Sequence, residues 1–152
     1  MRLILLFLLI PILLGCGFVS NEKPAEYIKS LVAYKEGSDG LFIYFILADS
    51  SGEMTINEGE VSMIIVATHY DHPEELLLFK QEFPARKDHF HRGKIGIGPF
   101  ERNVTACSLG RIPYNNFRYD MEKIISDHWR GKIKLEFKTS SKILKSEETL
   151  YF

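Results

Sequence analysis

Hydrophobic and polar positions alternate along most of this chain, and the alternation is that of β-strands. Residues 132–138, Lys-Ile-Lys-Leu-Glu-Phe-Lys, switch between charged and apolar without a fault, giving a strand one dry face and one wet face. Residues 41–48 are apolar on both faces and rich in aromatics, which suits a central strand. Val61, Met63, Ile65 and Ala67 form an inward set with Ile64 and Val66 opposite, and residues 75–83 carry Leu77, Phe79 and Phe83 on one face. Shorter patterns at 27–34, 100–109 and 148–152 add three more runs. Turn chemistry separates them at Gly37-Ser38-Asp39-Gly40, Asp49-Ser50-Ser51-Gly52, Asp71-His72-Pro73 and Asn115-Asn116. Ile124, Ile125 and His128 recur at helical spacing, predicting one short helix within 119–129. About seven strands with a turn every ten or so residues predict an all-β antiparallel sandwich.

The first 16 residues break this pattern. Arg2 precedes an unbroken apolar run over 3–14, and Gly15 and Cys16 follow. That is the charged, apolar and small-residue layout of a secretory signal. Twelve apolar residues make roughly 18 Å of helix against a hydrocarbon core of about 30 Å, and Pro11 weakens such a helix further. A permanent transmembrane span is the poorer reading.

Leu13-Leu14-Gly15-Cys16 resembles the lipobox of bacterial lipoproteins, in which an aliphatic and a small residue precede an obligatory cysteine. The resemblance implies a signal peptide over 1–15, with Cys16 acylated by diacylglycerol as the first residue of the mature chain. It implies a lipid anchor in the cell membrane or outer membrane, with the protein facing the extracytoplasmic side. Gly17 stands where an Asp would retain such a protein at the inner membrane. Residues 16–25 then form a lipidated tether whose reach, about 15–18 Å for nine flexible residues, keeps the domain over 26–152 near its membrane.

Composition narrows the function. The 152 residues carry 19 Lys+Arg against 20 Asp+Glu, with 45% hydrophobic and 12% aromatic residues. This is globular, and it lacks the basic excess of a nucleic-acid binder. Losing Arg2 with the signal leaves 18 basic against 20 acidic residues, so the acyl chains rather than headgroup charge must hold the anchor.

Within the domain, residues 45–53, Phe-Ile-Leu-Ala-Asp-Ser-Ser-Gly-Glu, lead to Gly59-Glu60-Val61. This run resembles bacterial extracytoplasmic immunoglobulin-like and fibronectin type III-like domains, and residues 131–152 resemble their terminal hairpin. The resemblance implies an immunoglobulin-like sandwich, although the intersheet cysteine pair of antibody domains is missing.

Five histidines are the first place to look for chemistry. His69-Tyr70-Asp71-His72 lies between two predicted strands, and His89-Phe90-His91 has the i, i+2 spacing that puts two imidazoles on one face of an extended segment. Imidazole suits zinc and copper, and Asp71 is placed to ligate or orient a ring. A metal-binding envelope lipoprotein using His69, His72, His89 and His91 is therefore the alternative function. The plainer reading is solvated loop histidines, because the pairs are separated by a strand. Cys107 reads as a buried small hydrophobe. Gly-x-Ser-x-Gly, Ser-x-x-Lys, His-Glu-x-x-His and Cys-x-x-Cys are all absent, so no enzyme class and no cofactor is indicated. Lys94-Ile95-Gly96-Ile97-Gly98 lacks Walker spacing and reads as a strand with a bulge or a close approach. Tyr114, Phe117, Tyr119 and Trp129 form either a recognition surface or the packing of a short helix onto one sandwich end. The leading expectation is a binding or structural module of the cell envelope, held at the membrane by its lipid and engaging a protein partner.

Overall fold

A computed structural model describes residues 23–35, 37–95 and 98–152; the signal peptide expected over 1–15 and the lipidation expected at Cys16 lie outside the described residues. The strands are β1 (Tyr27–Lys35), β2 (Gly40–Ala48), β3 (Met54–Thr55), β4 (Gly59–His69), β5 (His72–Ala85), β6 (Phe90–Ile95), β7 (Arg102–Pro113), β8 (Arg130–Lys138) and β9 (Ile143–Leu150), with one helix, α1 (Met121–Ser126). One antiparallel sheet has the order β1-β2-β7-β6 with β3 added to β2, and the other has the order β5-β4-β8-β9. Lettered in chain order around the small β3, these are A-B-E-D and C′-C-F-G, the immunoglobulin-like arrangement. The count exceeds seven because β3 has only two residues and because β6, Phe-His-Arg-Gly-Lys-Ile, interrupts its alternation with Gly93.

The inner faces follow the sequence pattern. Ile43 and Phe45 of β2 meet Val61, Met63 and Ile65 of β4 and Ile133, Leu135 and Phe137 of β8, all essentially without solvent exposure. Phe45 lies 5.7 Å from Phe137 and 6.2 Å, edge-on, from Phe90, so three rings bridge the two sheets. Burial of each such side chain contributes about 1.5–3 kcal/mol.

Two expectations need correction. A bulge between the pairs Ile65↔Phe79 and Val66↔Leu77 inserts Leu78 into β5. Leu78 takes full burial, Leu76 packs on the core, and Leu77 pairs with the outward Val66 instead of sharing the face of Phe79 and Phe83. The bulge is pinned from outside β4, since the carbonyl of Leu78 accepts from the backbone N–H of Arg118 at 2.8 Å. The helix is also shorter than its periodicity: Asp120 caps it by accepting from the N–H of Glu122, and Met121 and Ile124 are buried. His128 lies beyond its end, with a left-handed φ of 60°.

The chain enters the sandwich as an extended segment. Ala25 is fully buried and donates its N–H to Asn57, Thr55 donates its hydroxyl to the carbonyl of Lys23, and Glu26 pairs with Lys142 of the β8–β9 turn. The last residues before 26 thus belong to the fold. At the same end Asp49 organises the turn after β2. Its carboxylate accepts from the Ser51 hydroxyl and N–H, at 2.6 and 2.8 Å, and from the Glu53 N–H, and it pairs with Lys23 at 3.2 Å. These bonds, the Ser51 hydroxyl foremost, hold its pKa at about 2 against burial that would raise it. A carboxyl with a depressed folded pKa stabilises the fold above its unfolded value and loses that contribution as pH falls through the folded one. Acid unfolding between about pH 4 and pH 2 should therefore be steeper in the native protein than in Asp49→Asn. Equal slopes in pH-dependent urea melts would contradict this.

Candidate functional site

The up-and-down course of the strands gives the sandwich two dissimilar ends. The tether end collects the incoming chain, the β2–β4 connection, the segment after β5 and the β8–β9 turn. The opposite, distal end collects the β1–β2 turn, the two-residue β4–β5 turn, the long β7–β8 connection with α1, and the residues after β9.

The four candidate histidines are divided between three places. His69 and His72 face each other as the closing pair of the β4–β5 hairpin, with ring centroids 5.4 Å apart. Trp129, just before β8, stacks on His72 at 5.5 Å with the planes 5° apart and lies 5.2 Å from His69. The Nδ1 of His69 accepts the N–H of Asp71, which closes the turn and leaves Nε2 as its remaining ring nitrogen. His89 lies beyond the other end of β5, a strand that spans about 40 Å if fully extended. It closes a 3₁₀ turn over Lys87–His89, where its Nδ1 accepts the N–H of Arg86, so the extended segment expected for His89 and His91 is broken before β6 starts. His91 sits on the outer face of the first sheet, opposite Ala106. Among the described residues no group of three or more His, Cys, Asp or Glu side chains is placed to hold one metal ion.

Cys107 is fully buried in the core, and burial pushes its thiol up to about 12. It belongs to the packing of β7 against Phe45 and Phe90, as the apolar neighbours in the sequence implied. A maleimide should leave it unmodified in the native protein and modify it fully in denaturant; labelling at equal rates in both states would contradict its placement.

The four aromatics of the β7–β8 connection have different tasks. Phe117 is buried against Phe79 at 5.5 Å and Tyr114 at 5.7 Å. Trp129 packs partly on the core beneath the two histidines. Tyr119 is exposed, on the rim of a depression of about 600 Å³ bordered by Asp39, Arg118 and α1. Tyr114 lines that depression, its hydroxyl buried and without a hydrogen-bond partner among the described residues. Burial, and secondarily Asp39, raises its pKa. Among the described residues the most exposed aromatic side chains, Tyr70 at 88% and Tyr151 at 78%, also belong to the distal end. Sequence reading singled out neither, because one exposed Tyr in a turn and one after a strand carry no periodic signal.

The outer faces of the two sheets also differ. That of β5-β4-β8-β9 is laced with ion pairs, Glu75–Lys134, Lys132–Glu147 and Glu136–Lys145, the first lowering the pKa of Glu75. That of β1-β2-β7-β6 is mixed, with His91 and Arg111 beside Phe42 and Tyr44. It contains a shallow groove of about 230 Å³ floored by Val104, Ala106 and Ser108 of β7 and walled by Phe42 and Tyr44 of β2.

Compared with known proteins, the chain matches no family model, no curated protein and no solved structure.

Proposed function

We propose that this protein is a lipid-anchored extracytoplasmic binding module that presents the distal end of its sandwich to a protein partner. The observation that carries the reading is the polarity of the fold. The chain enters at one end, and the aromatic residues Tyr70, Tyr119, Tyr151 and Trp129 gather at the other. With Cys16 acylated, a tether of a few residues holds the entering end against the lipid and turns the aromatic end away from it. Tyr and Trp bury large, rigid surfaces at modest entropic cost, and they dominate the binding energy of protein interfaces. The depression beside Tyr119 adds charged groups of both signs, Arg118 and Asp120, at its rim.

Photo-crosslinking in cells tests the reading. A benzophenone amino acid at position 70, 119 or 151 should give discrete protein adducts on illumination, and the same residue at position 58 or 140 of the tether end should give none. Adducts confined to the tether end, or absent from every position, would overturn it.

A further inference from the structure

We infer that the tether end of the sandwich is itself a membrane-contacting surface, and that its occupant is the bilayer holding the lipid anchor. The inference rests on the lipoprotein reading and adds to it a surface that the distal partner site does not use.

Among the described residues, the exposed large hydrophobic side chains divide by end and by type. Tyr34, Tyr70, Tyr119 and Tyr151 stand at the distal end, and all four are tyrosines. Ile95, Ile143, Met54 and Tyr27 stand at the tether end. Tyrosine brings a hydroxyl to a contact and is favoured in protein interfaces, whereas isoleucine transfers favourably into hydrocarbon. A tyrosine beside a bilayer belongs at headgroup level. Tyr27 lies where the chain enters, opposite Ala48.

The β6–β7 hairpin carries this surface furthest outward. Phe45 and Phe90 both pair with Cys107. From that level β2 runs three residues to Ala48, while β6 runs five to Ile95. The hairpin therefore outruns β2 by two residues, or about 7 Å, before its turn is counted. The sequence of that turn, 96–100, contains no charged residue. Behind it Arg92, Lys94 and Arg102 are exposed, and only Lys94 faces a carboxylate of the hairpin, that of Glu101 at 2.8 Å. Three cations stand against one acid over residues 92–102. An apolar tip backed by long cationic side chains suits the boundary of a bilayer, since the stems lie along the apolar layer and the charges meet lipid phosphates. Met54 ties β3 to the same hairpin, its sulfur accepting the N–H of Thr105 at 3.4 Å.

Reach agrees with this placement. Cys16 precedes Lys23 by seven residues, and a flexible chain of that length spans about 13–16 Å. The hairpin tip lies within the distance the anchor sets. The contact is too small to hold the protein by itself; it fixes which end faces the lipid and points the distal tyrosines away.

Depth-dependent quenching tests this in the full-length lipoprotein, reconstituted into phosphatidylethanolamine–phosphatidylglycerol vesicles. With Cys16 acylated and Cys107 buried, an introduced cysteine can be labelled alone with the polarity-sensitive dye NBD. At position 54 or 95 the dye should emit to the blue of its aqueous position and be quenched several-fold by shallow spin-labelled lipid. At position 70 it should emit as in water and escape that quencher. Ile95→Asp should remove most of the quenching at position 54, and Tyr34→Asp, at the other end, should leave it. Position 143 replaces 54 if Met54→Cys fails to fold by circular dichroism. Aqueous emission at both 54 and 95, equal quenching at 70, or no response to Ile95→Asp would overturn the inference while leaving an acylated anchor in place. Mass spectrometry of the same sample reads the acylation. An unacylated chain would overturn the lipoprotein reading instead; Cys16→Ser protein held by an N-terminal histidine tag on nickel-chelating lipid then decides the inference through the same dye at position 95.

Discussion

Replacing Phe137 by alanine is expected to destabilise the domain by about 3–5 kcal/mol, a large fraction of the 5–15 kcal/mol that a typical domain has. Phe137 is fully buried in β8, a central strand, and its ring meets that of Phe45 across the sandwich. Its environment has little freedom to collapse. A Cβ built on Gly59 would stand 2.8 Å from the Phe137 ring and 2.5 Å from the carbonyl of Lys138, so the chain has already given up a side chain to admit this ring. Removing it leaves a cavity between two hydrogen-bonded sheets, whose backbones hold their spacing. Phe137→Leu, which keeps most of the volume, should cost markedly less. Urea unfolding monitored at Trp129 would measure both, and a loss below about 1 kcal/mol for the alanine variant would contradict the central position of the ring.

Gly59 itself gives a smaller companion effect. Gly59→Ala must displace backbone as well as the ring, and overpacking of this kind costs about 1–3 kcal/mol. Gly93→Ala is the control, because nothing lies within 4 Å of a Cβ there. Thermal melts should separate the two variants clearly.

Strands with one dry face were legible in the sequence because a two-sided environment writes a period of two into the chain. The run at 132–138 and the inward set Val61, Met63, Ile65 and Ala67 emerge in the fold as they read. The Leu77 face did not, since the bulge at Leu78 depends on a hydrogen bond to Arg118, forty residues away, and no local pattern encodes that contact. β6 was read only in pieces, as an extended segment at 89–91 and a strand at 94–98, because an edge strand buries little: of its six residues only Phe90 is buried. The histidines show the same limit from the chemical side. The spacing of His69 and His72 was informative because a two-residue turn leaves them few arrangements, and they do meet. The spacing of His89 and His91 was informative only for an extended backbone, and the 3₁₀ turn removes that condition. The stacking of Trp129 on His72 joins residues 57 positions apart, which only the topology of the second sheet brings together. Phe42 and Tyr44 read as a second buried face of a central strand, and on the outer face of the first sheet they are half-buried.

Cys16→Ala is expected to abolish acylation completely, the largest effect on where the protein resides. The argument is one of length and number. The only long apolar run in the chain, residues 3–14, makes roughly 18 Å of helix and contains Pro11, so it is too short to span a core of about 30 Å. Among the described residues no helix is long and apolar enough to cross a membrane. On the proposed lipoprotein reading, a near-neutral mature chain gains little from anionic headgroups and attachment falls to the acyl chains, each buried CH₂ contributing about 0.8 kcal/mol. Two chains make that attachment stable where one is only marginal. Cells fed a clickable fatty acid should label the wild-type protein and leave Cys16→Ala unlabelled. The variant should appear as a full-length precursor or as a chain released into the soluble fraction. Among the described residues the core is built from Ala25 onward, so the released domain should keep its sheet-dominated circular dichroism spectrum. A Cys16→Ala protein that is cut to the wild-type length, takes up the fatty acid and stays with the membrane would end the lipoprotein reading, and with it the orientation that turns Tyr70 and Tyr151 outward.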